Sequence, residues 1–423
     1  MEIAILFSCL ALFLMLSIPI GIALGLATAF TLATTSDIPL IMIAQNAFAS
    51  LDSFPLLAIP FFMLAGSLMS NGGISRRLVV LAEALVGFIV GGLAMVTVLA
   101  CMFFAAISGS GPATVSAIGS FMIPAMKEKA YDEGFAAALT ATAGSIGVII
   151  PPSIPFVIYG VVAGVSVGEM FIAGIVPGVL IALGLMLTSF YVAKKKGYPK
   201  SEFRPKVWPA FKDAFWALLV PVIILGGIYG GIFTPTEAAV VASVYALIIG
   251  RFIYGELDFR SIYDSFRDAA LVNGATTFMI GLSMSFAGYL AMEQVPTKIG
   301  SWLLGFSQSS VVILLIINIL LLIVGCFVDN ISSMIILTPI LLPIVMKLGV
   351  DPIHFGLVMT VALATGFVTP PYGANLFVAS AVSGVDMVRI SRAVIPFIAV
   401  MILCLLVFTY VPITSMGLVR FLR

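Results

Sequence analysis

The chain contains two diproline steps, Pro151-Pro152 and Pro370-Pro371, and the sequence around them is duplicated at one fixed distance. Each step follows a glycine by the same interval, Gly147 in Gly-Val-Ile-Ile-Pro-Pro and Gly366 in Gly-Phe-Val-Thr-Pro-Pro. Each also lies 27 residues after another proline, Pro124 or Pro343. The copies are 219 residues apart throughout (343 − 124, 366 − 147, 370 − 151) in a chain of 423, so the duplication divides it almost in half. Apolar segments interrupted by glycine and proline at matching places in two halves mark the binding region of carriers built from internal repeats.

Composition sets the solvent. Hydrophobic residues make up 61% of the chain and charged residues 9%, against about 25% charged in a soluble domain. Many apolar stretches reach the roughly 20 residues that a membrane crossing needs, and the longest polar stretch, Lys194 to Lys212, is too short to fold alone. A multi-pass, all-helical membrane protein is expected, with the lipid bilayer as its main surroundings and no nucleic-acid partner. The four cysteines, Cys9, Cys101, Cys326 and Cys404, sit in apolar runs without a C-x-x-C spacing, so neither disulfides nor a transition-metal site is expected. One histidine, His354, and the absence of H-E-x-x-H and G-x-S-x-G motifs argue against an enzyme. The N-terminus enters an apolar run without a basic region or cleavage site, which reads as a first span over 4–33 rather than a signal peptide.

Apolar runs and breakers predict two matching sets of elements, a first repeat over 1–200 and a second over 201–423. In the first, a short interfacial piece between Asp37 and Asp52 precedes a span over 54–70. A surface segment carrying Arg76, Arg77 and Glu83 follows, then a segment over 92–126, a broken helix over 133–165 and a span over 170–192. The second predicts spans over 214–232 and 235–250, an amphipathic stretch over 256–268, a span over 270–291 and a surface segment over 296–307. It ends with a segment over 309–346, a broken helix over 352–383 and a last span over 394–414. A straight helix over 92–126 would reach about 52 Å, far beyond a hydrocarbon core of about 30 Å. A re-entrant hairpin fits instead, with its tip at Ser108–Thr114, and 309–346 reads alike with its tip at Cys326–Ser333. With a cytoplasmic N-terminus and hairpins entering from opposite faces, only Lys298, Lys347, Arg420 and Arg423 of the 20 basic residues lie outside, leaving 16, among them Arg204, inside. That bias is the positive-inside pattern, and it makes the repeats inverted.

Four polar breaks remain: Ser108–Thr114, Gly144–Ser153, Gly325–Ser333 and Thr365–Asn375. Non-helical backbone at membrane depth persists only against protein or a water-filled cavity. Carbonyls freed at helix C-termini, with Ser and Thr hydroxyls, suit a sodium ion; N–H groups freed at half-helix N-termini suit a carboxylate. A single such break is often a simple kink, but four of them paired by a constant offset point to an ion and substrate site. Asp329 is the one carboxylate in any tip. It is a candidate for coupling and equally a candidate N-cap of the half-helix that follows. Glu237 in Thr-Pro-Thr-Glu reads as a helix start, and His354 as interfacial.

The segments Ser-Gly-Ser-Gly-Pro-Ala-Thr-Val-Ser-Ala-Ile-Gly (108–119), Gly-Val-Ile-Ile-Pro-Pro-Ser (147–153), Gly-Ile-Phe-Thr-Pro-Thr-Glu-Ala-Ala (231–239) and Gly-Phe-Val-Thr-Pro-Pro-Tyr-Gly-Ala-Asn-Leu (366–376) resemble the large membrane subunit of tripartite ATP-independent periplasmic (TRAP) transporters. The resemblance covers nearly the whole chain. It implies an elevator-type carrier in the bacterial inner membrane, driven by sodium as coupling ion, with no other cofactor. It further implies a small membrane subunit, here a separate chain, and a periplasmic substrate-binding protein. Carried over residue by residue, sodium would be held by Ser108, Gly147, Ile150 and Pro152 in the first half and by Gly325, Gly366, Thr369 and Tyr372 in the second. The substrate would lie near Ser110, Asn330, Ser332 and Asn375. Family substrates are organic acids such as sialic acid and C4-dicarboxylates, and general similarity leans toward sialic acid. No lysine or arginine lies in any tip, so helix N-termini and sodium would have to attract the anion. The competing readings are a stand-alone sodium/divalent-anion symporter, an ion channel lined by broken helices and, with no nucleophile–base pair in sight, an intramembrane enzyme.

Overall fold

The protein is described here by a computed structural model covering residues 2–36, 38–200, 205–307 and 309–422, with backbone alone for 302–304 and 306. Asp37, Arg204 and Arg423, used in the sequence reading, lie outside the described residues. Among the described residues every regular element is helical. Seven helices among the described residues are long and apolar enough to cross a membrane, eight if one bent pair counts as a span.

The first half runs α1 (Glu2–Met15), α2 (Ile20–Thr35), α3 (Ile41–Leu51), α4 (Ala58–Asn71), α5 (Ile74–Val86), α6 (Gly92–Ser108), α7 (Gly111–Glu128), α8 (Glu133–Gly144), α9 (Ile154–Ala163) and α10 (Val167–Lys196). The second runs α11 (Val207–Tyr229), α12 (Pro235–Ile248), α13 (Phe259–Met292), α14 (Val295–Phe306), α15 (Ser310–Phe327), α16 (Asn330–Lys347), α17 (Pro352–Gly366), α18 (Ala374–Ser383), α19 (Met387–Ala393), α20 (Ile395–Tyr410) and α21 (Ile413–Leu422). Short polar side chains start many of these helices by accepting backbone N–H groups of the first turn. Ser110, Asp132, Ser153, Ser166, Asp258, Asp329, Asp351 and Asp386 all do so. Thr234 and Glu237 close a reciprocal capping box on α12, the structural role expected of that glutamate.

The hairpins and broken helices form where the sequence places them. Shifting α7 by 219 residues gives 330–347, the bounds of α16, and shifting α6 gives 311–327 against Ser310–Phe327 for α15. Packing follows the same relation: α7 lies on α18, and their counterparts α16 and α9 lie on each other. Both diproline bonds are cis.

Three segments differ from expectation. The expected first span over 4–33 is two short helices. Ser17 takes a left-handed conformation, the Leu16 and Ile18 amides bond back to Leu12 and Phe13, and Pro19 bars continuation, so the chain turns and α2 packs on α1. The expected break between 256–268 and 270–291 is missing, and α13 runs unbroken for 34 residues. Arg267 and Asp268 add charge there, but neither carries the backbone constraint of glycine or proline that ends a helix. The last span is bent by 53° between α19 and α20. It stops at Tyr410, and a separate helix, α21, follows and packs on α10. The junction of α20 and α21 buries His354, expected at an interface. Its ring is 3% exposed, with Nδ1 2.7 Å from Ser415 Oγ and Nε2 3.3 Å from the Thr409 carbonyl.

Two groups of helices can be distinguished, although α5 also packs on α6 and α13 on α16. α4 packs on α12 and α13, and α13 also packs on α2 and α3. Arg77 of α5 joins this peripheral group by bonding Glu256 (2.6 Å), Asp213 (3.3 Å) and the Gly73 carbonyl (2.9 Å), with Tyr254 3.8 Å beneath the guanidinium. The central group holds both hairpins and both broken helices. Arg389 of α19 bonds Asp132 at 2.7 Å and so ties the second half to the start of α8. Burial pushes the Asp132 carboxyl up, but the Arg389 guanidinium, the Phe135 amide and the charge of Lys196 together more than offset this and hold it below the usual aspartate range.

Candidate functional site

The first tip is built by two uncharged N-caps and a left-handed glycine. α6 ends at Ser108, Gly109 reverses the chain at φ 63°, and Ser110 caps α7. The Thr114 hydroxyl donates to the Ser110 carbonyl at 2.8 Å and lies 2.9 Å from Ser108 Oγ. Gly147 presses on the same atoms: a β-carbon there would be 2.5 Å from Thr114 Oγ1 and 2.6 Å from the Ser110 carbonyl oxygen. The segment after Gly147 unwinds, Ser153 caps α9, and the Ile154 amide donates to the Gly109 carbonyl at 3.3 Å. The Pro152 carbonyl faces Gly109, 2.7 Å from where a β-carbon would sit. Ser108, Gly147 and Pro152 are thus gathered at one point, whereas the Ile150 side chain turns toward Gly178 of α10.

In the second half the contact is tighter. A β-carbon on Gly366 would fall 2.3 Å from the Gly325 carbonyl carbon, so the ends of α15 and α17 meet backbone to backbone. The Thr369 hydroxyl donates to the Thr365 carbonyl at 2.8 Å. The Tyr372 ring is half exposed and lies 5.1 Å from Phe377. Asp329 caps α16, accepting from the Ser332 amide at 3.0 Å and the Ser332 hydroxyl at 2.5 Å. Ser332 is fully buried and also reaches Met279 Sδ at 2.8 Å. Asn375 spans the two halves, donating to the Ala141 carbonyl (3.0 Å) and Ser145 Oγ (3.1 Å).

Between the groups lies a cavity of about 810 Å³. Four half-helices begin in its wall: Pro112 and Ala113 open α7, Ile154 and Pro155 open α9, Asn330 and Ile331 open α16, and Ala374 opens α18. The first N–H groups of a helix have no partner within it and carry its positive pole, equivalent to about half a charge. Among the described residues of the wall there is no lysine, arginine or histidine, and the charged groups are Asp268 and Asp329. Asn330 is the polar group left waiting. It is 2% exposed, and neither its amide oxygen nor its nitrogen has a hydrogen-bond partner within the protein. Buried polar groups are rarely left unpaired, so this amide is available to a bound molecule.

Of the residues expected to bind substrate, Ser110 and Asn330 face the cavity, while Ser332 and Asn375 stand behind it as supports. The sequence reading missed the opposite wall, where Ser67, Ser70 and Asn71 of α4 face Asp268 and Thr276 of α13. The serines and asparagine, spaced three and four apart on an apolar span, were the available signal, since that spacing places them on one helix face.

The profile of the tripartite ATP-independent periplasmic transporter family, DctM component, matches residues 7–414. The chain belongs to this family. A TRAP permease named for isethionate, DctMQ of Oleidesulfovibrio alaskensis, is 52% identical over 412 residues, covering 96% of this chain and 65% of that protein. The chain thus spans about two thirds of that relative's length. The large permease DctM of Pseudomonas aeruginosa, named for C4-dicarboxylates, is 43% identical over 405 residues, covering 95% and 94%. The sialic acid large permease SiaM of Vibrio cholerae is 38% identical over 383 residues, covering 90% of each chain. Among solved structures, the YdaH transporter of Alcanivorax borkumensis shares the fold at a TM-score of 0.65 over 88% of this chain and 87% of its own, with 15% identity. This TRAP large permease is a multi-pass bacterial membrane protein of secondary transport.

Proposed function

We propose that this TRAP large permease carries a small organic anion into the cell by sodium-coupled symport across the bacterial inner membrane. A periplasmic binding protein delivers the substrate, and a small membrane subunit works beside the chain. The observation that carries this reading is the cavity in whose wall four half-helices begin, flanked by two clusters of backbone carbonyls and hydroxyls at the helix breaks. Sodium would take the oxygens around Ser108, Gly147, Ile150 and Pro152, and those around Gly325, Gly366, Thr369 and Tyr372. The substrate would fill the cavity against Ser110 and the Asn330 amide, with Ser332 and Asn375 holding those groups in place. Asp329 would couple the two by bringing its carboxylate to the substrate side of the second tip. The central group would then slide against the α4–α13 wall as an elevator. Relatives named for isethionate, C4-dicarboxylates and sialic acid support the substrate class.

The test is uptake of labelled organic acids into proteoliposomes under an inward sodium gradient, with and without the small subunit and the binding protein. Uptake that requires sodium and both partners is the expected result. Sodium-driven uptake by the chain alone would make it a stand-alone symporter. Non-saturating flux without sodium would make it a channel.

A further inference from the structure

Three of the four helix poles form one contiguous patch. The Ile154 amide that opens α9 bonds the Gly109 carbonyl just before α7, and a β-carbon on Gly111 of α7 would lie 3.2 Å from Asn375 Oδ1 of α18. The caps of these helices are Ser110, Ser153 and Gly373, none of them charged. The fourth pole differs, because the Asp329 carboxylate already sits on the α16 N-terminus. Across the cavity, exposed Asp268 adds a second negative charge. The charged side chains of the described wall are thus two carboxylates with no basic partner, and a second anionic group on the guest would have to approach one of them.

We infer that the cavity selects organic acids with a single anionic group and at least one hydroxyl, and disfavours dianions. This rests on the carrier reading above and narrows its substrate class. The anionic group lies against the positive poles of the α7, α9 and α18 patch. A second anionic group would meet Asp329 or Asp268, whereas a hydroxyl there donates to the carboxylate. The unpartnered Asn330 amide, beside Asp329 on α16, pairs with that hydroxyl or with an amide of the guest. Asp268 is accordingly a specificity-determining residue on the wall opposite the tips.

The experiment is calorimetric binding to the complex of this chain and its small subunit, in sodium, without the binding protein so that its own selectivity does not enter. The probes are 2-hydroxyethanesulfonate, N-acetylneuraminate, propionate and succinate. At least one hydroxylated monoanion is expected to bind about tenfold or more tighter than succinate and propionate, the scale of one unit charge or one well-placed hydrogen bond at a partly screened site. Asp268→Asn is expected to raise succinate affinity about fivefold or more, as removal of one facing charge requires. Thermal unfolding of the variant checks that this exposed site leaves the fold intact. Succinate binding as tightly as the hydroxylated monoanions, or an unchanged ratio in Asp268→Asn, overturns the inference and leaves the carrier reading standing. No sodium-dependent binding of any probe, joined to no sodium-driven uptake, overturns the carrier reading itself and this inference with it.

Discussion

Asn330 is where stability and function part company in this protein. A buried amide with neither atom bonded costs the fold about 1–3 kcal/mol, and an apolar side chain of similar volume would remove that cost. Asn330→Leu is therefore expected to unfold at the same temperature as the parent or higher, while uptake falls about tenfold or more through loss of a paired polar contact. Uptake and thermal unfolding measured on one preparation decide it; a variant that transports normally would leave the amide without a role at the site. Asp329 shows the opposite arrangement. Its carboxylate caps α16, as one of the two sequence readings had it, and it also lines the cavity, where coupling stands as a proposal. Which of the two matters more was not legible from residue type, because an aspartate before a half-helix has one spelling for either purpose.

At the scale of elements, the contact between the second hairpin and the second broken helix is made of backbone alone. Gly366→Ala would push a methyl group to within 2.3–2.5 Å of three Gly325 backbone atoms. It is expected to cost about 1–3 kcal/mol by overpacking and to abolish uptake. Uptake at the parent's rate with an unchanged unfolding temperature would show that α15 and α17 can part without consequence. Elements of this kind were the readable part of the sequence. Their breaks demand glycine, proline and short polar residues, and the 219-residue offset ties one copy to the other. The turn between α1 and α2 was not readable, because Ser17-Ile18-Pro19 within an apolar run has the composition of a mere kink. Nor was the continuity of α13, where a charged stretch reads as the end of a span although nothing in its backbone stops the helix. The α4 wall escaped for a related reason: Ser70 and Asn71 lie at a helix end, where polar residues are ordinary.

On the scale of the whole molecule, the question is how the central group moves against its frame. Gly66 of α4 lies under the first tip, and a β-carbon there would sit 3.4 Å from Ser108 Cα. Gly66→Val would raise a ridge on that surface. It is expected to lower the maximal uptake rate about tenfold, a modest overpacking cost met in passage, with much less change in KM. A full rate in this variant would mean that the two surfaces do not slide past each other. The frame itself has an unusual proportion. From Ala269 onward α13 is free of charged residues to its end at Met292, a length of about 36 Å against a hydrocarbon core of about 30 Å. A helix longer than its bilayer tilts or thickens the lipid around it, and its packing against neighbours sets the balance. The wall that carries Asp268 and Thr276 is part of this helix, so the thickness of the surrounding lipid enters the geometry of the cavity.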